Sequence, residues 1–380
     1  MEIIQYSEEH RMFRESVRKY LEKEVIPHVE EWEEAGIVPK SAWKKLGDQG
    51  FLCMDVPEEC GGLGADFLYS VIMTEEMTRT NHSGLSTVLH SDIVVPYITS
   101  FGSEELKKKY LPGCVSGDIL TAVAMTEPNT GSDLASIKTT AVEDGDAFVI
   151  NGQKTFISNG INCGIVIVAA RDPAIDSPYN AIDLYVVEEG TEGFEKGKQI
   201  QKIGWHSQDT AELFFTDCRV PVGNRLGAKG SGFLHLMRKL QQERLVCAIG
   251  AVAAAEFMLE ITIPYCKERT AFGRPISKFQ NTQFEIVEMA TEAKIGRTFL
   301  DKLIMDHMEG KDIVLDVSMA KYWTTDMACR TADRCLQLHG GYGYCEEYPI
   351  ARAWRDIRVT RIFAGTNEIM KGIAAKFMGL

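Results

Sequence analysis

The chain has 380 residues, 45% of them hydrophobic and 25% charged, enough to bury large cores in two or three domains. Its formal net charge of -13 argues against nucleic acid and anionic membranes as partners, since both need clustered Lys and Arg, and leaves room only for a local basic pocket around a phosphorylated ligand. The 10 cysteines stand singly, with no CxxC or CxxH spacing, so neither a zinc site nor a redox dithiol is expected; reduced thiols fit a cytoplasmic protein best, with a mature organelle-matrix form second.

The first residues, MEIIQYSEEHRMFRES, lack a basic segment followed by an apolar core and carry acids, so no secretory or transit signal is expected. No apolar run approaches membrane-spanning length. Residues 1–120 alternate amphipathic helical patterns with breaks such as CGGLGAD, and predict a helical domain. Within it, LHSDIVVPYI poses a problem. Leu85, Val88 and Leu89 precede Asp92 by seven, four and three residues, which on a helix puts the carboxylate on the apolar face, at a cost of several kcal/mol unless it is paired or protonated.

From ILTAVAMTEPNTGSD the character changes. DAFVINGQKTFISNG, CGIVIVAAR, AIDLYVVEEG and AELFFTDCRVPVG are short, rich in branched and aromatic residues, and separated by Gly, Asn and Asp, so residues 121–230 predict a β domain. AMTEPNTGSDLAS offers Thr126, Thr130 and Ser132 hydroxyls around a Pro-Asn turn, either a ligand contact or only a well-made turn. QKTFISNG sets Phe156 beside Ser158. Residues 231–380 return to long helical periodicities, giving a mainly α chain with a central β domain. There, GGYG lets backbone approach a ligand, and Arg352, Arg355, Arg358 and Arg361 are spaced to neutralise phosphate or to pair with acids.

Together these blocks resemble the acyl-CoA dehydrogenase family over essentially the whole chain. AMTEPNTGSD and QLHGGYGYCEEYPIARAWRD are similar to its two signature segments, KTFISN to its flavin-stacking strand, and ERTAFGRPISKFQ to its FAD-pyrophosphate contact from a neighbouring subunit; Thr130 departs from the usual Gly or Ala. The resemblance implies an N-terminal helical domain, a middle β-barrel domain and a C-terminal four-helix-bundle domain, with FAD, an acyl-CoA substrate, a homotetramer, and electron-transferring flavoprotein as oxidant. By position it implies that Met125, Thr126 and Ser132 line the flavin, with Ser132 also near the CoA pantetheine. Phe156 would pack on the isoalloxazine and Ser158 would lie near N5. Arg269, Gln280, Gln337 and Gly341 would hold the adenosine and pyrophosphate end, with Thr366 and Glu368 beside it, and Arg244 would lie near the catalytic site or CoA.

The family's chemistry needs a carboxylate to take the α-proton of a CoA thioester. Where many members carry that acid in YEGT, this chain reads FAGT, with Phe363 and Ala364 as substrate contacts; the backbone N-H at 364 can polarise a carbonyl but cannot accept a proton. Other members place the base immediately before an Arg at the start of the third domain's long helix. Here that is Glu243-Arg244, with Leu236, Leu240, Cys247, Gly250 and Ala254 on the face of Glu243. Glu243 is thus the expected base, against the simpler alternatives of an ion-paired or solvated Glu. Asp92 falls in a segment that lines the acyl pocket in the family. It suggests either a second base for an alicyclic substrate such as cyclohex-1-ene-1-carboxyl-CoA or cyclohexane-1-carboxyl-CoA, or a buried acid satisfied by His90, Ser91 or backbone. The expected activity is an FAD-dependent acyl-CoA dehydrogenase, with an alicyclic acyl-CoA favoured. An ordinary straight- or branched-chain enzyme using Glu243 alone is the alternative, and a flavin oxidase or monooxygenase, or a non-catalytic assembly factor on the same fold, is the more distant one.

Overall fold

The computed structural model describes residues 3–380. Six helices come first: α1 (Glu8–Glu24), α2 (Val29–Ala35), α3 (Lys40–Asp48), α4 (Phe67–Arg79), α5 (Val95–Phe101) and α6 (Glu104–Val115). Their starts are set locally. Ser7 and His10 cap one another's backbone N-H groups at α1, and Asp66 and Ser103 accept from the N-H groups of Leu68 and Leu106 at α4 and α6, each cap contributing about 1 kcal/mol. Immediately before α5, Leu89–Val94 form a π-helical turn.

Seven strands follow: β1 (Thr121–Ala124), β2 (Thr140–Asp144), β3 (Ala147–Ile157), β4 (Ile165–Arg171), β5 (Ile182–Glu188), β6 (Phe194–Gln199) and β7 (Ala211–Pro221), with the short α7 (Pro178–Ala181) between β4 and β5. They form one sheet in the order β1-β4-β2-β3-β7-β6, with β5 also on β4. The pairs are antiparallel except β1 and β2 against β4. The unbroken apolar run of β4 has a simple cause: Ile165, Ile167 and Ala169 face a core shared with the N-terminal helices, while Val166, Val168 and Ala170 face the sheet's own core.

The remaining chain forms α8 (Gly232–Glu268), the two-residue strands β8 (Thr270–Ala271) and β9 (Arg274–Pro275), then α9 (Gln280–Met308), α10 (Val314–His339), α11 (Pro349–Ile357) and α12 (Asn367–Phe377). One expectation needs correction. By length and composition α8 is apolar enough to cross a membrane, with a window hydropathy of 1.9. Its apolarity is spent in the protein core: Leu245, Ala248, Ile249, Val252 and Ala255 share a buried cluster with Leu68 and Val71 of α4, Met289 of α9 and Met327 of α10.

Gly47 shows how closely α3 approaches its neighbour. A Cβ there would lie 2.2 Å from the carbonyl oxygen of Ser116, just after α6. Alanine gains up to about 1 kcal/mol of helix propensity, but a clash with backbone cannot be relieved by a rotamer change and outweighs it. Gly47→Ala is therefore expected to lower stability by about 2 kcal/mol, read as a lower denaturant midpoint; an unchanged or higher midpoint would show that the two helices separate freely.

Candidate active site

A cavity of about 630 Å³ lies where α4, the π turn, β1, β3, α8, α11 and the segment before α12 converge. Met125, Thr126, Ser132, Phe156, Ser158, Glu243, Arg244, Phe363 and Ala364 all line it. A second cavity of about 470 Å³, sharing no residue with the first, is lined by Arg269, Gln337 and Gly341. Gln280 and Glu368 are exposed and Thr366 is half-buried; none of the three lines either cavity. Thr366 caps α12 by accepting from the N-H of Ile369.

Phe156 is 67% exposed although it belongs to a strand, and its φ is +59° at a register shift of β3 against β7. The bulge turns the aromatic face outward onto the cavity wall. Beneath it, buried Lys154 donates to Glu127 Oε1 at 2.9 Å and to the carbonyl of Met125 at 3.0 Å; Glu127 also accepts from the N-H groups of Lys138 and Thr139. This pair ties the AMTEPNTGSD turn to the Phe156 strand. Burial holds the Lys154 ammonium down to about 8, with Glu127 opposing that shift. Thr126 is fixed by hydrogen bonds in both directions with Thr155 backbone.

The opposite wall is the segment that reads FAGT. Ala364 has φ +53° and Gly365 +86°. Lys321, fully buried on α10, clamps this turn by donating to the carbonyl of Gly365 at 2.7 Å and to Asn367 Oδ1 at 3.1 Å. Trp205 is similarly pinned: its backbone N-H donates to Asp356 Oδ1 at 2.7 Å, its indole N-H donates to the Asp356 carbonyl at 3.0 Å, and its ring meets Phe363 edge-on.

Three carboxylates line the first cavity. Asp133 is exposed and accepts from Ser136; Asp356 accepts from Trp205 and Ser83. Glu243 is 5% exposed and accepts from the Tyr97 hydroxyl at 2.7 Å. Burial raises its pKa to about 7, against the lowering effects of the Tyr97 hydrogen bond and the Arg244 and Lys239 charges. Arg244, next to it in the chain, is also buried, with Nε lacking a partner among the described residues and its pKa lowered by burial.

Asp92 does not line this cavity; its neighbours Leu89 and Ile93 do. It is 4% exposed, and burial raises its pKa to about 7, with Ser70 of α4 opposing that shift. The candidates His90 and Ser91 are occupied elsewhere, His90 by Thr121 and the Cys114 carbonyl, Ser91 by the N-H of Cys53. The reason is the π turn, which spreads one turn over more residues than the 3.6-residue spacing assumes and so re-aims everything after Leu89. Leu85 precedes the helical residues, so its spacing to Asp92 carries no facial information.

The Arg-rich segment pairs with acids: Arg352 with Glu30, Arg355 with Glu33 and Glu346, Arg361 with Asp326. The described residues contain no group of three or more His, Cys, Asp or Glu able to hold a metal ion. Sequence reasoning missed Tyr97, Lys154, Lys321 and Trp205. For Tyr97 the available signal was a polar group closing the apolar run IVVPY, which must find a partner when buried; Lys154, Lys321 and Trp205 stand in polar surroundings that carry none.

Models of the acyl-CoA dehydrogenase N-terminal, middle and C-terminal domains match residues 7–118, 122–218 and 230–379. The chain belongs to the acyl-CoA dehydrogenase family. It is 45% identical to the pig (Sus scrofa) mitochondrial long-chain specific acyl-CoA dehydrogenase over 98% of this chain and 86% of that one. It is 34% identical to the rice (Oryza sativa) mitochondrial isovaleryl-CoA dehydrogenase over 98% and 91%. The crystal structure of an acyl-CoA dehydrogenase from Geobacillus kaustophilus superposes with a TM-score of 0.97 at 56% identity, covering 99% of each chain. The cofactor of the family is FAD. The residues here fit it: an outward-facing aromatic platform flanked by Thr126 and Ser158, and, in the second cavity, the Arg269 guanidinium beside Gly341, where an added Cβ would meet nothing within 4 Å.

Glu243 also sets a pH dependence of stability. Its folded pKa of about 7 lies above the ordinary 4.5, so the folded state favours the protonated form. The associated stability is complete below about pH 4.5 and is lost as pH rises through about 7. Glu243→Gln, which keeps an acceptor for Tyr97, should stabilise the protein by about 3 kcal/mol more at pH 8 than at pH 5. Denaturant titrations at the two pH values check this, and an equal effect at both would mean that the carboxylate is not desolvated.

Proposed function

We propose that this protein oxidises the Cα-Cβ bond of straight- or branched-chain acyl-CoA thioesters, with Glu243 as the base. The observation that carries the reading is Glu243 itself, a desolvated carboxylate on the wall of the cavity that also holds Phe156 and Ala364. A base with its pKa near neutrality is matched to abstracting a weakly acidic α-proton. The Ala364 N-H is suited to donate a hydrogen bond to the thioester oxygen as charge develops on it, and the Lys321 clamp holds the turn in place without reorganisation. The Arg244 charge favours ionised Glu243. Leu85, Leu89, Ile93 and Leu240 exclude water from the acyl end. FAD supplies the hydride acceptor when bound, and Phe156, Thr126 and Ser158 are the residues that would hold its ring.

Alicyclic substrates are the less supported choice. Their case rested on Asp92 as a second base, and Asp92 does not line the cavity; the named relatives act on long-chain and isovaleryl thioesters. Electron-transferring flavoprotein as the oxidant follows from the family resemblance. So does a homotetramer, to which α9 contributes a candidate contact: Phe284, Val287 and Ile295 lie on one face and are 56%, 63% and 55% exposed. All ten cysteines are free, which suits a reducing compartment.

Glu243→Gln should retain FAD and slow anaerobic flavin reduction by a saturated acyl-CoA by roughly 10² or more; undiminished reduction removes Glu243 as the base. Because Ala364 lines the same cavity, Ala364→Glu in that background should restore part of the rate. Asp92→Asn should affect cyclohex-1-ene-1-carboxyl-CoA and palmitoyl-CoA alike, and a loss confined to the ring substrate would reinstate the second-base reading.

A further inference from the structure

Tyr97 is completely buried in α5, and its hydroxyl donates to Glu243 Oε1 at 2.7 Å across the α5-α8 contact. A buried phenol needs an acceptor, so the simplest account is that Glu243 satisfies Tyr97. Three features make the dependence run the other way as well. Among the described residues, Tyr97 is the side chain that hydrogen-bonds the Glu243 carboxylate. The groups acting on this carboxylate come from two elements, Lys239 and Arg244 of α8 and Tyr97 of α5, and only Tyr97 does so at hydrogen-bond distance. The π turn immediately before α5 sets the direction in which Tyr97 points.

We propose that Tyr97 is the positioning residue of the base: its hydroxyl fixes one carboxylate oxygen of Glu243, leaves the other for the cavity that Glu243 lines, and stabilises the ionised form. The inference rests on the reading of Glu243 as the base. Deprotonated Glu243 accepts from the phenol and takes the α-proton on its free oxygen; the phenol keeps its own proton throughout, since burial and the facing carboxylate both raise its pKa. A hydrogen bond to a charged acceptor favours the charged form. Its removal raises the pKa of the acid and moves the rising limb of activity to higher pH.

The test is Tyr97→Phe in the FAD-loaded enzyme, with palmitoyl-CoA as substrate. The rising limb of kcat/KM against pH should move up by about one unit. kcat at pH 6 should fall about tenfold and approach the wild-type value by about pH 9, with KM nearly constant. In substrate-free enzyme, the protonated-carboxyl infrared band assigned by its loss in Glu243→Gln should persist to correspondingly higher pH. An unmoved limb with an unmoved band overturns the proposal and reduces Tyr97 to a packing residue. If Glu243→Gln leaves flavin reduction intact, the base reading fails, while the band still reports whether Tyr97 holds the carboxylate. Should Tyr97→Phe fail to fold, 3-fluorotyrosine at position 97 keeps the shape and strengthens the donor; both limb and band should then move to lower pH, and no movement overturns the proposal.

Discussion

The constraint on which the rest of this structure depends is a carboxylate held dry among groups that favour its ionised form. Placing Glu243 in an apolar cavity costs several kcal/mol, and the surroundings meet that cost in two ways. The large apolar cores on both sides of α8 supply the stability that the site consumes. Tyr97, Lys239 and Arg244 favour the ionised form. Cys247, Gly250 and Ala254, further along the same helix face, are small enough to leave space for an acyl chain where larger residues would close it.

A second pattern is strain gathered at the site. Of the eight non-glycine residues with positive φ among those described, Asn81, Phe156, Trp205 and Ala364 line the same cavity. Each such conformation costs on the order of 1 kcal/mol or more and persists only where the surroundings enforce it. The enforcing contacts come from different parts of the chain: the Lys154-Glu127 pair below Phe156, Asp356 at Trp205, and Lys321 at Ala364. Asp356 further accepts from Ser83, so one carboxylate joins the N-terminal helical region, the loop before β7 and α11. The three regions therefore meet as a single frame around the cavity.

Much of this was legible in the sequence because its periods are strong. Alternating and continuous apolar runs mark β3, β4, β5 and β7, long 3.6-residue patterns mark α8 to α10, and Glu243 stands out once the acid at 364 is missing. What was not legible has physical reasons. The facial reading of Asp92 assumed an α-helix from Leu85 onward, whereas the helical residues begin later and pass through a π turn that no propensity announces. The expectation that no apolar run approaches membrane-spanning length failed because an all-round apolar helix at the junction of two cores has the same composition as one meant for lipid. Lys154 and Lys321 look like surface lysines in the sequence; only the arrangement of distant carbonyls and carboxylates makes them interior clamps.

The π turn has one more consequence. It is the way a helix accommodates a single extra residue without breaking, and here the surplus lies between the residues that wall the cavity and the one that grips Glu243. Loss of one residue from Leu89–Val94 would let an unbroken α-helix form with Tyr97 still facing Glu243, because the wide turn already absorbs the surplus residue. What would change is the turn itself, where Leu89 and Ile93 wall the cavity. The lining of the cavity can thus be altered by insertion or deletion while the grip on Glu243 is kept, a change of length that a comparison of residue types alone would pass over.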